Sequence, residues 1–145
     1  MGYMKAGTKV MNRILIVEDD MVSRKFLNKY LKPYGDCDMV VDGLEAIDAY
    51  LISVKEDRPY DLICLDIMMP KVDGVKVLKA IRELENQNKV ESEKRAKIIM
   101  TTALGETNIV KSAFEIGCDA YASKPIDTVK FSEVLRKLGI EPVTE

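Results

Sequence analysis

Five short apolar or β-prone runs alternate with amphipathic segments along this chain, and that alternation most constrains its fold. The runs are Ile14–Val17, Asp38–Val41, Leu62–Leu65, Ile98–Thr101 and Ala120–Ala122. The first, third and fourth are almost wholly apolar, as expected of strands covered on both faces. Between them the apolar residues fall at helical spacing. Ile47, Tyr50, Leu51 and Val54 follow i, i+3, i+4, i+7, and Phe131, Val134, Leu135 and Leu138 repeat it. Phe26, Leu27, Tyr30 and Leu31 mark the first helix, which Pro33 and Gly35 end. Leu78, Ile81 and Leu84 mark the third; Ile109, Val110, Ala113, Phe114 and Ile116 mark the fourth, with Gly117 as its stop. Five β–α units in order predict a flavodoxin-like, doubly wound α/β fold: a five-stranded parallel sheet, order 2-1-3-4-5, with helices on both faces.

Such a sheet places its ligand beyond the carboxyl ends of its strands, at the switch point between strands 1 and 3. Acids cluster at those two ends. Asp66 follows Leu62–Leu65, and Glu18-Asp19-Asp20 follow Ile14–Val17. An ionised carboxylate directly after an apolar run is costly unless it sits at the mouth of a buried strand. Thr102 and Lys124-Pro125 follow two other runs. Clustered carboxylates raise one another's pKa unless a cation neutralises them, and an oxygen-only, water-open set suits Mg²⁺. Asp66 is the candidate nucleophile, Lys124 a second positive charge, and Thr102 a hydroxyl donor to a phosphoryl oxygen. Asp20 has a second reading, as the cap of helix 1.

The remaining composition bounds the function. The 145 residues suffice for one domain, and a net charge of −2 argues against nucleic acid as the main partner. No apolar stretch approaches a membrane span. Histidine is absent, so any phosphohistidine belongs to a partner. Cys37, Cys64 and Cys118 match no zinc spacing; free thiols without a signal peptide point to the cytoplasm. Residues 1–11 read as a disordered leader or an expression remnant, 12–138 as the domain, and 139–145 as a tail. The charged stretch Glu85–Lys97 reads as a solvated helical extension or mobile loop, with partner docking as the alternative.

The motifs Leu15-Ile16-Val17-Glu18-Asp19-Asp20, Leu65-Asp66-Ile67-Met68-Met69-Pro70 with Asp73-Gly74, Thr102-Ala103 and Lys124-Pro125 resemble the receiver domain of two-component response regulators. The resemblance spans Asn12 to Leu138. It implies that Asp66 is the phosphoacceptor, charged by a sensor histidine kinase or a histidine phosphotransfer protein. It implies Mg²⁺ held by Asp20 and Asp66 through their side chains, by Met68 through its backbone carbonyl, and by Asp19 directly or through water. Thr102 and Lys124 would bind the phosphoryl group. Thr102 and Tyr121 would form a switch that alters the helix 4–strand 5–helix 5 face for a downstream protein, in a monomer or a phosphorylation-dependent dimer. The chain resembles a stand-alone regulator, or a receiver cut from a larger protein, and not an enzyme beyond slow self-dephosphorylation. Two alternatives stay open: a phosphorelay intermediate, and a phosphatase of the haloacid dehalogenase type, against which Met68 stands where that family keeps a second Asp.

Overall fold

The computed structural model describes residues 11–103 and 107–143. Its strands are β1 (Asn12–Val17), β2 (Gly35–Val40), β3 (Leu62–Asp66), β4 (Lys97–Thr102) and β5 (Ala120–Ser123). Its helices are α1 (Met21–Leu31), α2 (Gly43–Lys55), α3 (Gly74–Gln87), α4 (Thr107–Ile116) and α5 (Thr128–Lys137). The strands form one parallel sheet in the order β2-β1-β3-β4-β5, as the alternation predicts.

Period-two alternation splits the strand residues between two cores. Leu15, Val17, Ile63, Leu65, Ile98 and Met100 face Ala46, Tyr50, Val77, Leu78, Ile81 and Ala113 from α2, α3 and α4. Ile14, Ile16, Leu62, Cys64 and Ile99 face Leu27, Leu31, Phe131 and Leu135 from α1 and α5. Both faces of the central strands are therefore covered, which is why those runs show no polar alternation. Beyond α5 the chain returns to the α1–β2 connection: Ile140 is buried in the second core, and the Val143 N–H donates to Pro33 O at 2.7 Å.

Aspartates open the helices along the site edge of the sheet. Asp20, Asp42, Asp73 and Asp127 cap α1, α2, α3 and α5, each accepting backbone N–H groups of the first turn. Two elements differ from the sequence expectation. β2 begins at Gly35, three residues earlier than its apolar pattern indicates, because an edge strand is covered on one side and needs less apolar character. A 3₁₀ turn, Lys32–Tyr34, links it to α1, and a Cβ at Gly35 would lie 2.2 Å from Asn12 O.

The stretch Glu85–Lys97 is not a uniformly solvated extension. α3 continues through Glu85 to Gln87, and Glu85 is fully buried. Its Oε1 pairs with Arg82 at 2.7 Å, and its Oε2 accepts the Ala96 N–H at 2.9 Å. A second 3₁₀ turn, Ser92–Lys94, carries the exposed charges. All three thiols are free, and burial pushes each of them up, Cys37 and Cys118 to about 11.

Candidate phosphoacceptor site

Asp66 is the last residue of β3 and only 4% exposed. The β1–β3 register aligns Ile14 with Leu62 and Ile16 with Cys64. Continued by one more pair, those rows end in Glu18 and Asp66 on the same face. Lys124 ends the corresponding row Ala120-Ala122 on β5. The three side chains meet. Lys124 Nζ lies 2.5 Å from Glu18 Oε1 and 3.5 Å from Asp66 Oδ1. The Lys124–Pro125 bond is cis.

Carboxylate oxygens of Glu18, Asp19 and Asp66 all lie within 4.8 Å of one another. Glu18 and Asp66 are buried and Asp19 is exposed, so the cluster is open to water on one side. Burial, then the hydrogen bond and charge of Glu18, push Asp66 up to about 7; Lys124 and the Met68 N–H pull against that rise. Burial alone would lower Lys124, but Glu18 and Asp66 outweigh it and hold the ammonium above the usual lysine range. Three carboxylates against one ammonium leave the cluster short of positive charge. An oxygen-only donor set of this kind, with one open side, fits a small divalent cation.

Asp20 does not join the cluster. Its Oδ2 accepts the Ser23 N–H at 2.8 Å and caps α1. That backbone bond, then the Ser23 side chain, lowers its pKa. Among the described residues, the acids grouped with Asp66, with carboxylate oxygens within 4.8 Å of one another, are Glu18 and Asp19. The physical reason is that Glu18 directly continues β1, whereas Asp20 already belongs to the start of α1. Glu18, which the sequence expectation placed in the acid cluster without a role of its own, thus stands next to Asp66 and Lys124. The signal for it was the one used for Asp66, an acid directly after an apolar run.

Met68 is 60% exposed, and its N–H donates to Asp66 Oδ1 at 3.3 Å, which leaves its carbonyl outside that bond. Gly74, at the start of α3, makes this turn possible: a Cβ there would lie 2.2 Å from Asp66 O. Thr102 ends β4, is 3% exposed, and its carbonyl accepts the Lys124 N–H at 2.7 Å. Tyr121 is 42% exposed and lies edge-on to Phe114 of α4, with ring centroids 6.4 Å apart. It pairs in register with Met100, two residues before Thr102. Leu104, two residues after Thr102, lies outside the described residues.

Residues 14–136 match the family described as the response regulator receiver domain. The chain belongs to that family. Among its relatives, the chemotaxis protein CheY of Treponema pallidum is 35% identical over 83% of this chain and 78% of that protein. Hybrid signal transduction histidine kinase L of Dictyostelium discoideum is 35% identical over 91% of this chain, yet the match spans only 8% of that kinase. Among solved structures, the CheX–CheY–BeF3–Mg²⁺ complex from Borrelia burgdorferi aligns with a TM-score of 0.78 at 28% identity, covering 95% of this chain and 96% of that one. The receiver fold, the acid cluster and the lysine thus coincide in one member of a signalling family.

Proposed function

We propose that this receiver accepts a phosphoryl group on Asp66 from a phosphohistidine of a partner kinase or phosphotransfer protein. The observation that carries the reading is the junction of Asp66, Glu18, Asp19 and Lys124 at the carboxyl ends of β1, β3 and β5. In the transfer, an Asp66 carboxylate oxygen attacks phosphorus. The new P–O bond forms as the P–N bond to the partner imidazole breaks, and the histidine takes back its nitrogen lone pair. With its pKa near 7, Asp66 is substantially ionised at neutral pH and available as nucleophile. Lys124 stands 3.5 Å from the attacking carboxylate and is placed to neutralise a phosphoryl oxygen. Thr102, at the neighbouring strand end, supplies the hydroxyl donor in this reading.

Mg²⁺ fits the cluster and would be held by the Asp19 and Asp66 side chains, with Glu18 beside them and the Met68 carbonyl as a further oxygen ligand. Bound there, it would neutralise charge on the phosphoryl oxygens. The exposed apolar side chains Met21, Val22 and Phe26 of α1 and Val129 of α5 give a partner a surface to dock on. No described helix is long and apolar enough to cross a membrane, and a cytoplasmic setting accords with three free thiols.

The output we propose is a switch. The alternation along β4 and β5 assigns Thr102 and Tyr121 to the α4 side of the sheet, where Tyr121 already meets Phe114. Recruitment of the Thr102 hydroxyl to a phosphoryl group would favour an inward Tyr121 and present a changed α4–β5–α5 surface to a downstream protein, in a monomer or a dimer formed on phosphorylation. A relay role draws support from the hybrid kinase among the relatives; transfer of label from Asp66 to a histidine phosphotransfer protein separates it from a terminal output. The primary test is incubation with acetyl phosphate and Mg²⁺. Intact-mass spectrometry should show one added phosphoryl group, absent from Asp66→Asn. Labelling of that variant at the wild-type level would remove Asp66 as the acceptor.

A further inference from the structure

Of the three acids at the site, two are held by the sheet. Glu18 and Asp66 are buried at strand ends and share Lys124. Asp19 lies past the end of β1 and is exposed, so its position depends on the β1–α1 turn. Arg24, on the first turn of α1, folds back over that turn. Its Nη1 donates to the carbonyl oxygens of both Glu18, at 2.9 Å, and Asp19, at 3.3 Å. The direction is the one helical side chains favour, toward the helix N-terminus. Its own backbone is fixed there by the Arg24 N–H bond to Asp20 O at 2.9 Å, within a turn capped by Asp20.

We propose that Arg24 is a positioning residue: by tying the Glu18 and Asp19 carbonyls to α1 it sets the geometry of the acid cluster for its cation. The inference rests on the metal-dependent receiver reading above. Arg24 exerts two effects of opposite sign. As a nearby positive charge it repels a second cation, so its removal would tighten Mg²⁺ binding. As a strut it holds Asp19 where a metal needs it, so its removal would weaken binding. We expect the strut to dominate, because the guanidinium bonds directly to the peptide that carries a ligand, and loss of such outer supports costs metal sites about 10–100-fold in affinity.

The experiment is calorimetric Mg²⁺ titration of wild type, Arg24→Gln, Arg24→Lys and Asp19→Ala, with the backbone amide NMR signals of residues 18–20 recorded without metal. Arg24→Gln should bind Mg²⁺ about tenfold more weakly and shift those amide signals. Arg24→Lys, which keeps the charge and one reaching nitrogen, should stay within about threefold of wild type. Equal or tighter binding by Arg24→Gln would overturn the proposal. Should Arg24→Gln fail to fold, Arg24→Met takes its place under the same criteria: weaker Mg²⁺ binding with shifted amide signals supports the proposal, and equal or tighter binding overturns it. Wild type that binds no Mg²⁺ would instead defeat the metal-dependent reading itself.

Discussion

At Asp66, burial and the Glu18 charge act in one direction and Lys124 in the other, and the first pair prevails. The folded pKa of about 7 stands above the value of about 3.9 expected of an unfolded aspartate. Between those values the folded protein binds more protons than the unfolded one, so this group lowers stability as pH rises toward 7, with the full cost present above it. Asp66→Asn should therefore stabilise the metal-free protein by about 1–3 kcal/mol at about pH 8, and by much less at about pH 4. Denaturant unfolding at the two pH values checks this; an equal effect at both would show that ionisation of Asp66 is not the cause. Because Mg²⁺ must displace the proton, its affinity should rise about tenfold between about pH 6 and pH 8. A flat profile in calorimetry would contradict the raised pKa. Met68 belongs to the same scale. Its exposed thioether beside Asp66 cannot orient an attacking water, so Met68→Asn should speed loss of the phosphoryl label by roughly tenfold, about 1.4 kcal/mol off the barrier. Loss of label from purified protein, with no partner present, is the measurement; an unchanged rate would assign water access elsewhere.

Between elements, Arg82 bridges several segments at the end of the sheet away from the site. It donates from Nη1 to Glu85 Oε1 and Ala96 O, from Nε to Gly117 O, and from Nη2 to Asp119 Oδ2. One side chain thereby joins α3, the start of β4, the end of α4 and the approach to β5, where Asp119 also accepts the Ile98 N–H. Glu85 is fully buried, so deleting Arg82 leaves a charge without its cationic partner. Arg82→Ala should cost about 3–5 kcal/mol, and Arg82→Lys should recover only part, since an ammonium cannot reproduce the planar fork. Equilibrium unfolding measures both; a loss of under about 1 kcal/mol for the alanine variant would mean that Glu85 finds another partner or a proton. The same network explains why the charged stretch Glu85–Lys97 is docked at its two ends, through Glu85 and Ala96, and solvated only in its middle.

For the whole molecule, the proposed switch asks for only a short path. Asp66 ends the row of β3 that faces α1 and α5, while Thr102 and Tyr121 lie on two strands that lead to α4. A beryllofluoride phosphoryl mimic with Mg²⁺ should change the NMR environment of Tyr121 and Phe114 while leaving Phe131, in the opposite core, nearly unmoved. Identical Tyr121 signals in both states would refute the coupling. The architecture behind this path was open to reading from the chain, because a strand covered on both faces must be apolar throughout and an amphipathic helix must repeat its stripe. Asp66 stood out for a related reason: a charge placed directly after such a strand has to end at its mouth. What the linear pattern could not decide was which acids after β1 face inward. Glu18, Asp19 and Asp20 are chemically alike and adjacent, and only the register of β1 against β3, with the onset of α1, turns Glu18 to Lys124 and Asp20 to the Ser23 amide. Nor could a charge-rich segment reveal that Glu85 is buried, because its partners Arg82 and Ala96 meet it only once α3 lies against the sheet. Alternation of apolar and polar residues is a local property and is written in the sequence. Pairing between charges at different strand ends is set by register and helix packing, and exists only in the folded protein.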